Sequence, residues 1–444
     1  MSSQRTTPPR FDAGIYSRRV FLRASASLGF LTMAGCGGGG GSSASAGSGS
    51  RAAGGATSGG VAGSSPAAVT SPSASIPTST LPNAPAPGTY PAWLSGANVL
   101  QWVEIPNTQL LTYMNNLGFT SPGGTFPGVM AWCGGCVRTN GSELVTGLGG
   151  HTDYAGNELY SLRLADNAPS WYQWFNPSYA VGPTSVPGSP YNGDGTPAAR
   201  HSYFSIQFID ARDKVFTFGA SAIWGNGNGG GPTVDSCGYR AGGGPLSPIS
   251  GWDAAGTNPS LPAAYPPETP IVKDASENVW VFSPWSGDVY LWTQSTNSWS
   301  LAGVVGVSQA AGEPFAYDSK RNRVFRIADS PSPAGYLDLG NIAADWTTVR
   351  VTPALPSGTG MTVYDPVVDC FWFMSYFQGP QAVLYRIDPT SWAVTVAAVT
   401  GTIPDNSGST GDQQFHGRFN YCPELKGLVF MRDATANVFF LRTA

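Results

Sequence analysis

The chain has 444 residues, only 11% of them charged, and a formal net charge of −4. Residues 1–35 hold five of the basic residues and one acidic one, leaving 18 Lys+Arg against 26 Asp+Glu in the remainder. No basic surplus remains to neutralise phosphates, which excludes nucleic acid as a partner.

In chain order, the first feature is Ser17-Arg18-Arg19-Val20-Phe21-Leu22, followed by the apolar run Leu28 to Met33. This is the anatomy of a secretory signal, and the run is too short to span a bilayer as a helix. The Ser-Arg-Arg-x-Phe-Leu pattern resembles the twin-arginine export signal of bacteria, which implies a domain that folds before it is exported. Met33-Ala34-Gly35-Cys36 resembles a lipoprotein cleavage box, with Met33 where Leu is usual. That resemblance implies lipidation of Cys36 and anchoring in the cell envelope, at the outer membrane.

Residues 36–92 after the signal peptide (1–35) are almost wholly Gly, Ser, Ala, Thr and Pro, with Arg51 the sole charge. Such a segment buries too little apolar surface to offset its ordering entropy and is expected to be a disordered tether. A coil of this length spans about 40 Å root-mean-square. The remainder, 93–444, has no second low-complexity break, so one large domain is expected, and its size points to a repeat fold closed on itself. With 58 Gly, 37 Pro, 14 Trp and 18 Tyr in the chain and no long run of 3.6-residue periodicity, that domain is expected to be all-β.

A strand–turn–strand unit recurs at Phe208–Phe218, Val272–Phe282, Ala316–Phe325, Val363–Phe373 and Asn420–Phe430. Asp210, Asp274, Asp318 and Asp365 hold one slot, taken by Cys422 in the last copy. An aspartate there bonds the amides of its own turn, so these acids are turn formers rather than catalysts. Downstream a Tyr is followed by a Trp: Tyr160 and Trp171, Tyr290 and Trp299, Tyr336 and Trp346, Tyr385 and Trp392. The first copy adds Gly149-Gly150. Double Gly, then Tyr, then Trp resembles the Kelch repeat, which implies a β-propeller of four-stranded blades around a central channel. Six units begin near 127, 200, 267, 312, 360 and 414, and irregular strands within 200–265 leave seven open. The last unit ends before its Trp. Val99–Pro106, with Trp102 in the Trp slot, is expected to supply the outermost strand of the last blade and close the ring.

The repeat assigns the three histidines to one mouth of the channel: His151 in a strand 2–3 loop, His201 and His416 at first-strand entries. Arg200 and Arg418 accompany two of them, and Glu313 occupies a similar slot. Tyr203, Tyr154, Trp224 and Trp285 complete the candidate set, the last two as exposed aromatics at the ligand face. No metal motif has local spacing, and no metal or other cofactor is expected. Cys133-Gly134-Gly135-Cys136 lacks the helix N-terminus that activates a redox thiol and suggests a loop staple, while Cys370 and Cys422 lie in corresponding hairpins and suggest a pair; Cys237 has no evident partner.

The reading that follows is a monomeric cell-envelope lipoprotein whose Kelch-like propeller binds an extracellular ligand, above all an anionic glycan drawn by the arginines. One alternative is a polysaccharide lyase, with His151, His201, Tyr203 or His416 as acid and base and an arginine on the uronate carboxylate. Propeller-fold polysaccharide lyases resemble the chain in outline. Another is a structural scaffold for protein partners.

Overall fold

The computed structural model describes residues 90–118, 126–139, 141–149, 154, 156–177, 199, 202–218, 234–238, 253–254, 269–283, 286–306, 315–327, 333–355, 360–375, 381–405 and 417–444. Their strands form six sheets, antiparallel but for one parallel pair; in sheets 1 to 5 the strands follow one another outward in chain order, and sheet 6 takes in strands from elsewhere in the chain. Sheet 1 is built from Gly135–Arg138, Glu143–Gly147, Leu159–Arg163 and Trp171–Gln173. The first strands of sheets 2 to 6 are Ile206–Ile209, Ile271–Lys273, Phe315–Asp318, Gly360–Asp365 and Phe419–Cys422. These six first strands neighbour one another in cyclic order, with sheet 6 beside sheet 1. The chain is therefore an all-β propeller.

The apolar core lies in the seams between sheets. Val145 and Trp174 of sheet 1 meet Phe208 and Val215 of sheet 2, and Phe216 and Phe218 meet Val281 and Trp292 of sheet 3. The pattern continues around the ring until Val429 and Phe440 of sheet 6 meet Leu144 and Leu162 of sheet 1. The outer-strand tryptophans of sheets 3, 4 and 5 each pack on the preceding sheet: Trp299 on Phe218, Trp346 on Phe282 and Trp392 on Phe325. That recurring contact is the physical content of the Trp slot, since a large ring is needed where adjacent sheets splay apart.

In five of the six hairpins between first and second strands four residues separate the paired ends, and the last of them adopts a left-handed conformation: Ser142, Asp213, Asn322, Asp369 and Lys426, with φ of 49° to 51°. The third hairpin is one residue longer, and Glu277, at φ 62°, is its left-handed residue. Asp274, Asp318 and Asp365 accept amide bonds from their own turns, as the repeat predicts. Asp210 departs from that expectation. Ile209 pairs with Lys214 as Asp318 pairs with Arg323, so Asp210 lies one residue past the slot. Its carboxylate instead accepts from the Thr139 amide of sheet 1 (2.9 Å) and pairs with Lys273 of sheet 3 (3.3 Å). Comparable cross-links recur around this end: Arg138 to Asp213 (2.8 Å), Arg321 to Asp369 (2.8 Å), Thr443 to Asp365 (2.6 Å) and Ser142 to Glu424 (3.1 Å).

The N-terminal strand joins the final sheet. Gln101–Ile105 pairs antiparallel with Val438–Arg442, setting Trp102 opposite Leu441 and Ile105 opposite Val438. Trp102 is 2% exposed and shares a core with Val363, Cys370 and Trp372 of sheet 5. The strand is not outermost, as the sequence suggests, because the short strand Thr400–Gly401 pairs parallel on its far side and covers the edge. The following segment caps the seam between sheets 6 and 1: Thr108 accepts from the Trp171 indole (2.7 Å), and the helix Leu110–Asn115 buries Leu110 and Met114.

Removing residues 93–106 takes away a full strand of ladder bonds together with Trp102. A buried Trp alone is worth about 3–5 kcal/mol on truncation, and the newly exposed edge favours association. A thermal melt of the truncated domain is expected to fall well below that of the intact one, with aggregation visible by light scattering. An unchanged melt contradicts closure by this strand.

Candidate functional site

The turn Trp132-Cys133-Gly134 is the point where the candidate segments meet. Tyr203 donates its amide to the Trp132 carbonyl (3.0 Å), and the Gly134 amide donates to Ser202 Oγ (2.9 Å). The Cys133 thiol donates to the Gly149 carbonyl, and Gly149 in turn packs against Ala199. A methyl group on Gly417 would stand 2.8 Å from the Tyr203 carbonyl oxygen and 3.4 Å from Gly134 Cα. Gly134 faces that same carbonyl so closely that any side chain would collide with it. The glycine in Cys133-Gly134-Gly135-Cys136 is thus required by the convergence of three chain segments, not by a staple.

The cysteines stand apart accordingly. Cys133 faces the core between sheets 6 and 1 and Cys136 the core between sheets 1 and 2, both as free thiols. Burial pushes the Cys133 thiol up to about 12, against the nearby Arg418 charge. Cys370 and Cys422 are likewise free and buried in different cores, so neither disulfide suggested by the sequence is present. The Cys237 side chain lies outside the described residues.

Of the candidate residues, His151, His201, His416, Arg200, Glu313, Trp224, Trp285 and Cys36 lie outside the described residues. Their described chain neighbours are informative. Gly149, two residues before His151, Ala199 and Ser202, which bracket Arg200 and His201, and Gly417, next to His416, all lie around the Trp132–Gly134 turn. Among the described residues no cluster of three or more His, Cys, Asp or Glu is arranged to hold a metal ion.

The three described candidates are buried. Arg418, expected at the open mouth, is 0% exposed. It donates to the carbonyls of Met130 (2.8 Å), Met431 (3.1 Å) and Arg432 (2.8 Å), and to that of Cys133. Its fork of donors thus holds the Trp132 turn onto sheet 6 by satisfying carbonyls that no strand pairs. Tyr203 is 4% exposed and packs its ring on Trp132 (5.5 Å). Tyr154 is fully buried and donates to Glu158 Oε1.

Glu158 went unremarked in the sequence except as part of the Asn157-Glu158-Leu159-Tyr160 match. It is completely buried, and Tyr160 also donates to its Oε1 (2.6 Å). Burial raises its carboxyl above the usual carboxylate range, against the two phenol bonds that favour ionisation. Oε2 has no hydrogen-bond partner among the described residues.

Below the Trp132 turn lies the central cavity, about 350 Å³, bounded by the first strands of all six sheets. It runs from Gly135, which opens the first strand of sheet 1, and Gly417, which precedes that of sheet 6, to Ala275, Ser319 and Pro366, which follow the first strands of sheets 3, 4 and 5.

No protein-family model matches the sequence, and no curated protein matches it. Solved structures of similar fold include a luciferin-regenerating enzyme, 10% identical over 70% of this chain and 90% of that one, with a TM-score of 0.38. YjhT is 11% identical over 70% of this chain and 93% of its own, with a TM-score of 0.41. A gluconolactonase from Xanthomonas campestris is 9% identical over 82% and 99%, with a TM-score of 0.39. At these values the likeness is one of fold alone.

The state of Glu158 has a measurable consequence. A carboxyl whose pKa rises on folding takes up a proton, so its contribution to stability is greatest below the unfolded value and declines as pH rises towards the folded one. Glu158→Gln keeps an acceptor for both phenols without that penalty. Its unfolding free energy relative to the parent protein is expected to climb between acid and neutral pH, with a limiting slope of about 1.4 kcal/mol per pH unit, and its melting temperature with it. A difference that does not vary with pH contradicts a raised Glu158 carboxyl.

Proposed function

We propose that this chain is an exported envelope lipoprotein, anchored through Cys36 and spaced from the membrane by residues 36–92, whose six-bladed Kelch-like propeller binds an extracellular glycan at one mouth of its channel. The observation that carries the reading is the convergence of the segments flanking His151, Arg200–His201 and His416 on the Trp132–Gly134 turn. Segments that converge at one end of a rigid ring are the arrangement by which a scaffold presents a multi-sided recognition surface to a polymer end.

With Arg418 committed to backbone carbonyls, Arg200 is the cation assigned to a carboxylated or sulfated sugar. Tyr203 is buried against Trp132, which removes the phenol from the lyase reading as a solvent-facing base. No described contact favours catalysis or a purely structural role over binding.

The experiment has two arms. Polygalacturonate and alginate are titrated into the purified protein while absorbance from newly unsaturated sugar ends is followed. Saturable binding without turnover is expected, weakened about tenfold or more by Arg200→Ala with little change in melting temperature. Turnover favours the lyase, and failure to bind either polymer contradicts an anionic glycan. In the second arm, Cys36→Ala is expected to move the protein from the membrane fraction to the soluble fraction. Retention in the membrane contradicts the anchor.

A further inference from the structure

The central cavity is a distinct feature, and its walls are unlike the mouth proposed above. It is lined by apolar residues of the first strands, among them Val137, Val272 and Ala316, with polar groups interleaved between them. Its two charged side chains, Lys273 and Asp274, are both committed to partners. The Lys273 ammonium is matched by Asp210 (3.3 Å) and Glu277 (3.6 Å) and donates to the Phe208 carbonyl (2.6 Å). The Asp274 carboxylate is spent on the amides of Ser276 (2.8 Å) and Asn278 (2.9 Å) and on the Trp280 indole (2.9 Å).

Neutral polar groups remain. Thr362 of sheet 5 is 4% exposed, lines the cavity, and its hydroxyl has no hydrogen-bond partner among the described residues. A buried hydroxyl left unmade costs about 1–3 kcal/mol, so its retention against the cavity is a sign of a ligand or ordered water. Gln207 of sheet 2 brings an amide to the same space. Asn420 of sheet 6 donates Nδ2 to the Gly417 carbonyl (2.7 Å) and leaves Oδ1 as an acceptor.

Two phenols complete the walls. Tyr364 ties its hydroxyl back to Asp369 (2.5 Å) and Tyr317 ties its own to Asn322 (3.0 Å), both at turn residues. With their hydroxyls held there, the rings contribute flat aromatic surface from adjacent sheets. Walls that mix apolar and aromatic surface with uncharged donors and acceptors, at a volume near the lower end of ligand sites, suit a small hydroxyl-rich molecule.

We propose that the central cavity is a binding site for one neutral monosaccharide, contacted by Thr362, Gln207 and Asn420 and stacked on Tyr317 and Tyr364. The site needs no charge and none of the mouth histidines, and it stands independently of the anionic-glycan reading.

The test is calorimetric titration of the full protein with D-glucose, D-galactose and D-xylose, and with D-glucuronate and D-galacturonate. Saturable binding of at least one neutral sugar is expected, with the uronates about tenfold weaker or worse, because a carboxylate entering the cavity finds no uncommitted cation. Thr362→Val removes the hydroxyl at constant shape. It is expected to weaken sugar binding about tenfold while the melting temperature holds or rises, since an unsatisfied buried group is lost. Gln207→Leu is expected to weaken binding comparably and serves if the Thr362 variant does not fold. Absence of saturable binding by any neutral sugar, equal binding of the uronates, or sugar affinity unchanged in both variants overturns the proposal.

Discussion

A ring of sheets holds together only if its last member is completed, and here completion comes from the opposite end of the described chain. The pairing of Gln101–Ile105 with Val438–Arg442 is the constraint on which the rest depends. It turns a row of sheets, each with an apolar face on either side, into a structure in which every such face has a partner. It also fixes Trp102 in the seam against sheet 5, where the other outer-strand tryptophans show a ring is needed. The contact between sheets 6 and 1 then follows, and with it the placement of Arg418 of sheet 6 against the Met130 and Cys133 carbonyls of the segment leading into sheet 1.

The two ends of the channel are built differently. Where first strands turn into second strands, every hairpin carries a left-handed residue, and polar bonds tie many of the seams. At the opposite end the described residues centre on the Trp132–Gly134 turn, on which segments of sheets 1, 2 and 6 converge with little space for side chains. A repetitive end supporting such a convergence is the division of labour expected when a scaffold positions recognition loops.

The architecture was legible because a propeller writes its period into the chain. Asp318 and Asp365 repeat since each turn needs an acceptor for its own amides, and Trp299, Trp346 and Trp392 repeat since each seam has a gap to fill. The site was less legible because burial is a three-dimensional property. Arg418 has the same sequence neighbourhood whether it faces solvent or four carbonyls, and nothing local distinguishes the two. Cys133-Gly134-Gly135-Cys136 displays its cysteines, yet its physical reason is the glycine between crowded backbones. Asp210 looked equivalent to Asp318 by residue type, and only the strand register shows the one-residue offset that frees it to join three sheets. Thr362 carried no signal, since a threonine in a strand is ordinary until its hydroxyl proves to be unpaired against a cavity.

The most direct measurement of the central claim is amide hydrogen exchange along Val438–Arg442. With Gln101–Ile105 bonded on one side and Gly427–Phe430 on the other, this strand is interior to its sheet. Its amides are then expected to exchange only through global opening, as slowly as those of Gly427–Phe430. Exchange of Val438–Arg442 at the rate of a frayed edge, while Gly427–Phe430 stays protected, would contradict closure of the ring by the N-terminal strand.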